Sequence, residues 1–270
     1  MLGRAICEAF GRQGISYTPI TRERVDLGAL GDLRQAILPG TDTVINCAAW
    51  TNVDAAEAHE AEATEVNGQA VGKLAAHCRA IGAVLVHYST DYVFAGRASA
   101  PYPVDYPRAP LNAYGRSKAQ GEVLLEQSGC EYLLLRTSWV YAPWGKNFVR
   151  TITGLARQRP SLRVVHDQLG RPSSAEQIAR VSSALLSSGA RGIYHVSDDG
   201  ECSWFEFASA AISGLGLSCT VQPCSSAEFP SPAVRPSYSV LDVSKTVARV
   251  GALVHWRDSL NDVLARLEPR

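Results

Sequence analysis

The sequence has no excess of charge of either sign, no long apolar run and no clustered cysteines. Its 270 residues include 26 Lys and Arg and 26 Asp and Glu, a balance that gives no support for binding to nucleic acid or to membrane surfaces. No apolar run approaches the ~20 residues of a membrane-spanning helix, and the start does not resemble a signal peptide. The seven cysteines form no CxxC pair and the six histidines are scattered. We therefore expect reduced thiols in a cytoplasmic protein, and no zinc site.

Helix-like and strand-like segments alternate along the first 160 residues. The predicted strands are 15–20, 43–49, 83–89 and 132–136, and the predicted helices are 2–10, 26–37, 55–80, 113–128 and 147–157. Such an alternation predicts a doubly wound, Rossmann-type parallel sheet of the α/β class. Because the order begins on a helix, we expect the first strand of that sheet and its glycine-rich turn to be missing. Gly3 is the remaining candidate for the last glycine of the turn.

The second part of the chain differs in the length of its predicted elements and in its proline content. After Pro160 the predicted elements are shorter and prolines cluster. The predicted strands are 162–165 and 193–196, and the predicted helices are 174–187, 204–215 and 259–267. We therefore predict a Rossmann-type domain at residues 1–160. A smaller α+β region at residues 161–270 would be interleaved with it and lie over the carboxyl edge of the sheet.

Three side chains could together polarise and protonate a carbonyl group. Tyr114 and Lys118 are one helical turn apart, so an ammonium could lie near the phenol and lower its pKa from ~10. Thr90 follows a buried strand, at the end where ligands bind in open α/β sheets, and could donate a hydrogen bond to the same oxygen. Each has an ordinary alternative: a surface lysine beside a packed tyrosine, or a strand-end turn. The three in this order favour reductase chemistry.

These residues match the Ser/Thr-Tyr-Lys triad of extended short-chain dehydrogenases. HYSTDYVF, PLNAYGRSK, LRTSWVYA, GKNFV, HDQLGRPS and RPSYSVLD resemble the dTDP-4-dehydrorhamnose reductase family over essentially the whole chain. The resemblance implies reduction of the C4 ketone of dTDP-4-dehydro-β-L-rhamnose to dTDP-L-rhamnose by NADPH, or by NADH, in dTDP-rhamnose and cell-wall polysaccharide synthesis. It implies Tyr114 as proton donor, Lys118 as ligand of the nicotinamide ribose and tuner of Tyr114, and Thr90 as the carbonyl's hydrogen-bond donor.

Further roles follow from the resemblance alone. The residues implied in cofactor binding are Gly3, Arg22, Asp26, Leu27, Cys47, Ala48, Ala49, Tyr88, Tyr114 and Lys118. Those implied in substrate binding are Thr90, Asp91, Trp139 and Arg235. Cys47 stands where the family usually has alanine. Arg22 follows the predicted strand 15–20, the second strand of such a fold when the missing one is counted, and an arginine there suits the 2′-phosphate of NADPH. The ordinary alternatives are a solvated Arg22, a core Trp139 and an Arg235 in a surface turn.

Metal, assembly and competing functions stay open at this point. Some family members form a magnesium-bridged homodimer through glutamates, and Glu176 matches one of those positions, so a non-catalytic magnesium ion and a homodimer are candidates. One alternative function is a non-catalytic, NADP-binding regulatory subunit, like the partner of methionine adenosyltransferase, or an inactive truncated homologue. Another is an epimerase or dehydratase acting on a different nucleotide sugar.

Overall fold

The structure is a computed structural model that describes residues 1–29 and 33–267. In chain order its strands are β1 Thr43–Asn46, β2 Val84–Thr90, β3 Tyr132–Thr137, β4 Val140–Tyr141, β5 Ser161–Val165, β6 Leu169–Gly170, β7 Ser173–Ser174, β8 Gly192–His195, β9 Cys202–Ser203 and β10 Thr220–Cys224. Its α-helices are α1 Leu2–Arg12, α2 Val53–Ala58, α3 Glu60–Thr64, α4 Ala70–Ile81, α5 Ala113–Gln127, α6 Phe148–Ala156, α7 Ala175–Ser187, α8 Trp204–Gly214, α9 Ser244–Val250 and α10 Trp256–Leu264.

A four-stranded parallel sheet in the order β1-β2-β3-β8 lies at the centre. One face packs against α1 and α7, and the other against α4 and α5. Strand β2 is buried from Leu85 to Thr90 because both of its edges are paired and both faces are covered. The predicted α/β class with a doubly wound parallel sheet is therefore confirmed.

The predicted strand at 15–20 is wrong. These residues are irregular, and Ile15, Tyr17 and Ile20 are each exposed by more than a third. A strand needs a neighbour for its backbone hydrogen bonds, and in the described part of the chain β1 pairs only with β2. Among the described residues, this apolar segment therefore has no neighbouring strand with which to pair. The predicted helix at 26–37 is also wrong: two short 3₁₀ turns, Leu27–Ala29 and Leu33–Gln35, take its place, and 30–32 lie outside the described residues.

Helix α5 is fixed tightly against the segment that follows β2. Asn112 caps the helix by accepting a hydrogen bond from the Gly115 backbone N–H at 2.8 Å. A Cβ at Gly115 would lie 2.3 Å from the Tyr92 carbonyl oxygen, and one at Gly121 would lie 2.1 Å from that of Asn67. Only glycine permits such close approach. This packing determines where the side chains of α5 meet the end of β2.

The two predicted regions share the central sheet. Strand β8 lies beyond residue 160 yet pairs with β3, whereas β5 and β10 form a separate parallel pair near a second core around Phe207 and Trp256. The boundary at residue 160 stays a prediction. All seven cysteines are free thiols. Among the described helices, none has the length and apolar character required to cross a bilayer.

Candidate active site

Thr90 lies at the carboxyl end of β2, where it begins a short 3₁₀ turn. It is buried, its hydroxyl donates to Asp91 Oδ1 at 2.9 Å, and it accepts from the Tyr92 backbone N–H at 3.2 Å. Asp91 is buried as well, and burial raises the pKa of its carboxyl to about 6, against the opposing effect of hydrogen bonds. The Thr90 hydroxyl is therefore oriented by an adjacent carboxylate as well as by the turn.

Tyr114 lies in the first turn of α5 and packs edge-to-face on Tyr92, with ring centroids 5.9 Å apart. Burial raises the pKa of Tyr114 to about 12, while its hydrogen bond with Thr90 acts in the lowering direction. The expectation of a phenol with a lowered pKa is therefore wrong for this structure. Desolvation outweighs any nearby cation, since the ammonium of Lys118 is directed elsewhere.

Lys118 is almost fully buried, and its Nζ donates to the Tyr88 carbonyl oxygen at 2.6 Å. The same nitrogen lies 3.2 Å from Nε2 of His87. Burial lowers the pKa of Lys118 to about 8, partly opposed by the charge of Glu122 one turn along the helix. Thr90, Tyr114 and Lys118 thus converge at the end of β2 as the sequence predicts, through partners that sequence reasoning missed.

Two of those missed partners are His87 and Asn46. They lie side by side in the β1–β2 ladder, with Asn46 Nδ2 3.2 Å from His87 Nδ1. Asn46 Oδ1 accepts a hydrogen bond from the Ala48 backbone N–H at 3.1 Å. The His87 in HYSTDYVF was the available signal, because a histidine in an otherwise apolar strand needs a polar partner.

The predicted cofactor residues at the end of β1 are small side chains that are partly or fully exposed. Ala48 is exposed, Cys47 and Ala49 are half-buried, and Gly3 of α1 packs on Cys47, since a Cβ there would lie 3.6 Å from the Cys47 Cβ. Burial raises the pKa of the Cys47 thiol to about 12, so it is neutral. Such a surface fits the flat approach of a dinucleotide. Tyr88 directs its hydroxyl to Ser182 Oγ on α7, at 2.9 Å.

The predicted adenine-side residues form one local cluster. The Arg22 guanidinium contacts Asp26 Oδ2 through Nε and NH2, each at 3.1 Å, and its side chain is 83% exposed. Asp26 Oδ1 also accepts the Gly28 backbone N–H, which is the largest factor lowering the pKa of its carboxyl. Leu27 is buried. Arg22 is therefore accessible to an anion, although Asp26 competes for it.

On the substrate side, Arg235 is not a simple surface residue. Its guanidinium NH2 lies 2.8 Å from Asp54 Oδ2, in an ion pair that joins the second part of the chain to α2. Both charges act on the phenol of Tyr92, which packs against Tyr114. The structure thus gathers Arg235, Asp54 and Tyr92 beside the triad. Asp54 was missed because nothing local distinguishes it from other acidic residues in the first turn of a helix.

Trp139 lies in a different aromatic cluster. Its ring stacks on Trp204 with centroids 3.6 Å apart, and Phe148 contacts Trp204. Trp139 has φ 46°, the only positive φ outside glycine in the described chain. Gly170 allows this, because a Cβ there would lie 2.6 Å from the indole. The backbone strain indicates that the position of this ring is imposed by its surroundings.

Glu176 is paired rather than open. It lies in the first turn of α7, and its carboxylate receives both terminal nitrogens of the Arg266 guanidinium, one of them at 2.8 Å. That hydrogen bond is the largest factor lowering the pKa of Glu176. No group of three or more His, Cys, Asp or Glu side chains suited to a metal ion occurs in the described residues.

A parallel sheet with threonine, tyrosine and lysine converging at the end of a central strand defines a Rossmann-type protein of the short-chain dehydrogenase class. The sequence profile of the family described as RmlD substrate binding domain matches residues 1–268. The chain belongs to that family.

Known relatives agree with this assignment. A dTDP-4-dehydrorhamnose reductase of Burkholderia thailandensis is 40% identical, and the alignment covers 88% of this chain and 87% of the relative. The crystal structure of dTDP-4-dehydrorhamnose reductase from Bacillus anthracis in complex with NADP has a TM-score of 0.94 at 32% identity, covering 98% of this chain and 95% of the other. The enzyme from Clostridium acetobutylicum has a TM-score of 0.93 at 33% identity, with the same coverage of each chain.

Proposed function

We propose that this protein reduces the C4 ketone of dTDP-4-dehydro-β-L-rhamnose to dTDP-L-rhamnose. The observation that carries the proposal is the convergence of Thr90, Tyr114 and Lys118 at the carboxyl end of β2. Relatives named dTDP-4-dehydrorhamnose reductase support the substrate. The complete triad disfavours the alternative of a non-catalytic NADP-binding subunit, because such a subunit has no use for a proton donor with its orienting groups.

Tyr114 is the proton donor in this proposal. With its pKa raised to about 12, the phenol is protonated at neutral pH and can transfer its proton to the alkoxide that develops on the sugar oxygen. Thr90 shares a hydrogen bond with Tyr114 and donates to the same oxygen when its hydroxyl turns from Asp91. Lys118 would turn its Nζ from the Tyr88 carbonyl oxygen to hold a ribose hydroxyl of the cofactor and to stabilise the tyrosinate left behind. The carbonyl oxygen thus receives one proton from the protein.

We assign cofactor binding to residues 1–160, and substrate binding to residues 161–270 together with Thr90, Asp91 and Trp139 of the first region. NADPH, when bound, supplies the hydride that adds to C4. The Ala48 and Ala49 surface at the end of β1 would face the dinucleotide with Gly3 and Cys47, beside Tyr88. Arg22 would hold the 2′-phosphate, with Asp26 and Leu27 at the adenine side, and NADP in the Bacillus anthracis relative supports NADPH over NADH.

Arg235 would contact the phosphates of the nucleotide sugar, and Asp91 and Trp139 the sugar side. The guanidinium of Arg235 is bound to Asp54 through one nitrogen, beside Tyr92. A homodimer stays a prediction. Magnesium binding by Glu176 would require Arg266 to release the carboxylate, so no metal enters the proposed chemistry.

The proposal is tested by following NADPH oxidation with the dTDP-4-keto sugar generated in situ. Tyr114→Phe removes only the phenolic hydroxyl and should lower kcat by about 10²–10⁴-fold, the usual value of a positioned general acid. Tyr17→Phe makes the same change at an exposed tyrosine and should leave kcat unchanged. Undiminished turnover in Tyr114→Phe would refute the assigned role, and NADP binding without any reduction would favour the regulatory subunit.

A further inference from the structure

A buried line of polar groups connects Lys118 to the end of β1. Lys118 Nζ lies 3.2 Å from His87 Nε2, His87 Nδ1 lies 3.2 Å from Asn46 Nδ2, and Asn46 Oδ1 lies 3.1 Å from the Ala48 backbone nitrogen. Lys118, His87 and Asn46 are 2%, 1% and 7% exposed. Ala48, by contrast, is exposed. The line therefore runs from a buried amine to the backbone N–H of an exposed residue.

The hydrogens along this line can be assigned by elimination. The Ala48 N–H can only donate, so Asn46 Oδ1 faces it and Asn46 Nδ2 donates to His87 Nδ1. A neutral imidazole carries one N–H, which must then be on Nε2 and point at Lys118 Nζ. Only a neutral amine has a lone pair to accept it. This arrangement is therefore the one that suits deprotonated Lys118, which still donates to the Tyr88 carbonyl oxygen.

Protonation of Lys118 reverses the direction of the hydrogen bonds along this line. An ammonium has no lone pair, so it donates to His87 Nε2, and the imidazole hydrogen moves to Nδ1. His87 Nδ1–H now needs an acceptor, which the Asn46 side chain supplies by turning its amide over. Asn46 Oδ1 then leaves the Ala48 N–H, and this N–H of an exposed residue loses its partner and can donate to solvent or to a ligand.

We propose that His87 and Asn46 are positioning residues that couple the protonation of Lys118 to the donor capacity of the Ala48 N–H. A dinucleotide that places a phosphate or ribose oxygen on this N–H would hold Lys118 as an ammonium. By reciprocity, protonated Lys118 would favour that ligand. The catalytic consequence rests on the proposed function: the lysine acquires the charge needed to stabilise tyrosinate when the cofactor is present.

The charged groups around the line agree with such a coupling. His87 on β2 and Glu122 on α5 are the titratable groups that act on Lys118, and Asn46 on β1 is neutral. Glu122 is itself engaged by Arg136 of β3. Burial lowers the pKa of Lys118 to about 8 and lowers that of His87 far below its usual range, so the lysine titrates and the imidazole stays neutral. Tautomer exchange is then the only response open to His87.

Nitrogen NMR of protein labelled with ¹⁵N-histidine tests the coupling directly. The His87 signals are assigned as those lost in His87→Gln, and the sample is titrated from about pH 6 to pH 10, around the Lys118 pKa of about 8. We expect neutral His87 throughout, with the Nδ1–H tautomer at low pH and the Nε2–H tautomer at high pH. In Lys118→Met, one tautomer should persist. An unchanged tautomer in the wild-type protein, or an ordinary histidine titration, would overturn the proposal.

NADP⁺ provides the second arm. It should raise the midpoint of the tautomer change by about one pH unit, which corresponds to tenfold coupling. In Asn46→Leu the shift caused by NADP⁺ should be smaller than in the wild-type protein, because the link to Ala48 is cut and only the direct contact between Lys118 and the cofactor remains. An equal response in Asn46→Leu would overturn the role of Asn46. These readouts need no turnover, so they can succeed while the reductase assay of Tyr114→Phe fails, or fail while it succeeds.

Discussion

Two buried basic side chains, Arg136 and Lys118, are held in opposite ways. Arg136 of β3 donates to Glu122 through Nε at 2.9 Å and through NH2 at 2.7 Å, and also to the Val104 carbonyl oxygen. Lys118, one turn before Glu122 on α5, has a carbonyl oxygen and an imidazole as its hydrogen-bond partners. Arg136 is bound bidentately by a carboxylate, and Lys118 is bound by neutral groups alone.

The two side chains therefore have different roles: Arg136 stabilises the fold, whereas Lys118 can change its protonation state. A guanidinium stays charged in proteins, and its fork fixes α5 against β3 in one geometry. A buried amine with neutral partners can lose its proton near physiological pH, and the pKa of Lys118, lowered to about 8, agrees with this. We therefore expect substitutions at the arginine pair to affect folding first, and substitutions at the lysine to affect protonation first.

The largest effect is expected at Glu122. Glu122→Gln leaves Arg136 as a buried cation without its carboxylate and should lower the free energy of unfolding by ~3–5 kcal/mol. Urea denaturation at pH 7 measures the loss. Glu126→Gln is the matched control, because Glu126 pairs with the half-buried Arg108, and there the loss should be below about 1 kcal/mol. Equal losses of unfolding free energy in Glu122→Gln and Glu126→Gln would contradict the special role of the buried pair.

A double substitution sharpens this result. Glu122→Leu with Arg136→Met removes both charges, so no buried ion is left unpaired, and much of the lost stability should return. If the double variant is as unstable as Glu122→Gln, the pair contributes through its hydrogen bonds to surrounding groups, such as the Val104 carbonyl oxygen, more than through charge compensation.

The second effect is a pH slope caused by Lys118. Its folded-state pKa of about 8 lies below the unfolded value, so the unfolded chain binds the proton more tightly. Wild-type stability should therefore rise with pH between about 8 and 10.5 because of this group. Lys118→Met lacks the group, so its stability relative to wild type should fall by ~2.5 kcal/mol from pH 7 to pH 10. Parallel stability curves for the two proteins would contradict the lowered pKa.

The sequence predicted the sheet and the meeting of Thr90, Tyr114 and Lys118 at the end of β2 because both have local signatures. Alternating apolar segments predicted β1, β2 and β3, and a four-residue spacing on α5 predicted that Tyr114 and Lys118 share a face. The same local reasoning failed at 15–20, where strand formation depends on a neighbour. It also failed for the pKa of Tyr114, since spacing gives the nearest charge but not the desolvation that dominates.

The unpredicted part of the site consists of long-range pairs. Asn46 and His87 meet only because the β1–β2 register places them side by side, and a shift of one residue would turn His87 to the other face. Arg235 and Asp54 are separated by 181 positions. Neither pairing can be recognised from the local sequence, so only the tertiary structure identifies the two pairs.

The smallest effect is expected at the Arg235–Asp54 pair, which is a salt bridge like that of Arg136 with Glu122 but is partly exposed. Its side chains are 26% and 39% exposed, so solvent screens the attraction, and Asp54→Asn should change the free energy of unfolding by less than about 1 kcal/mol. Asp54 nevertheless orients the guanidinium beside Tyr92. Asp54→Asn should therefore raise the KM for the nucleotide sugar about 3–10-fold with kcat unchanged, as for an interaction made equally in the ground and transition states.

Glu60→Gln is the control for this last test. It breaks the exposed pair between Glu60 and Arg116, which also joins an early helix to a later element, and should change neither KM nor stability measurably. A fall in kcat for Asp54→Asn would mean that the pair stabilises the transition state, and that Arg235 lies nearer to the reacting carbon. A lower KM would mean that Asp54 competes with the substrate for the guanidinium, and the pair would then oppose binding.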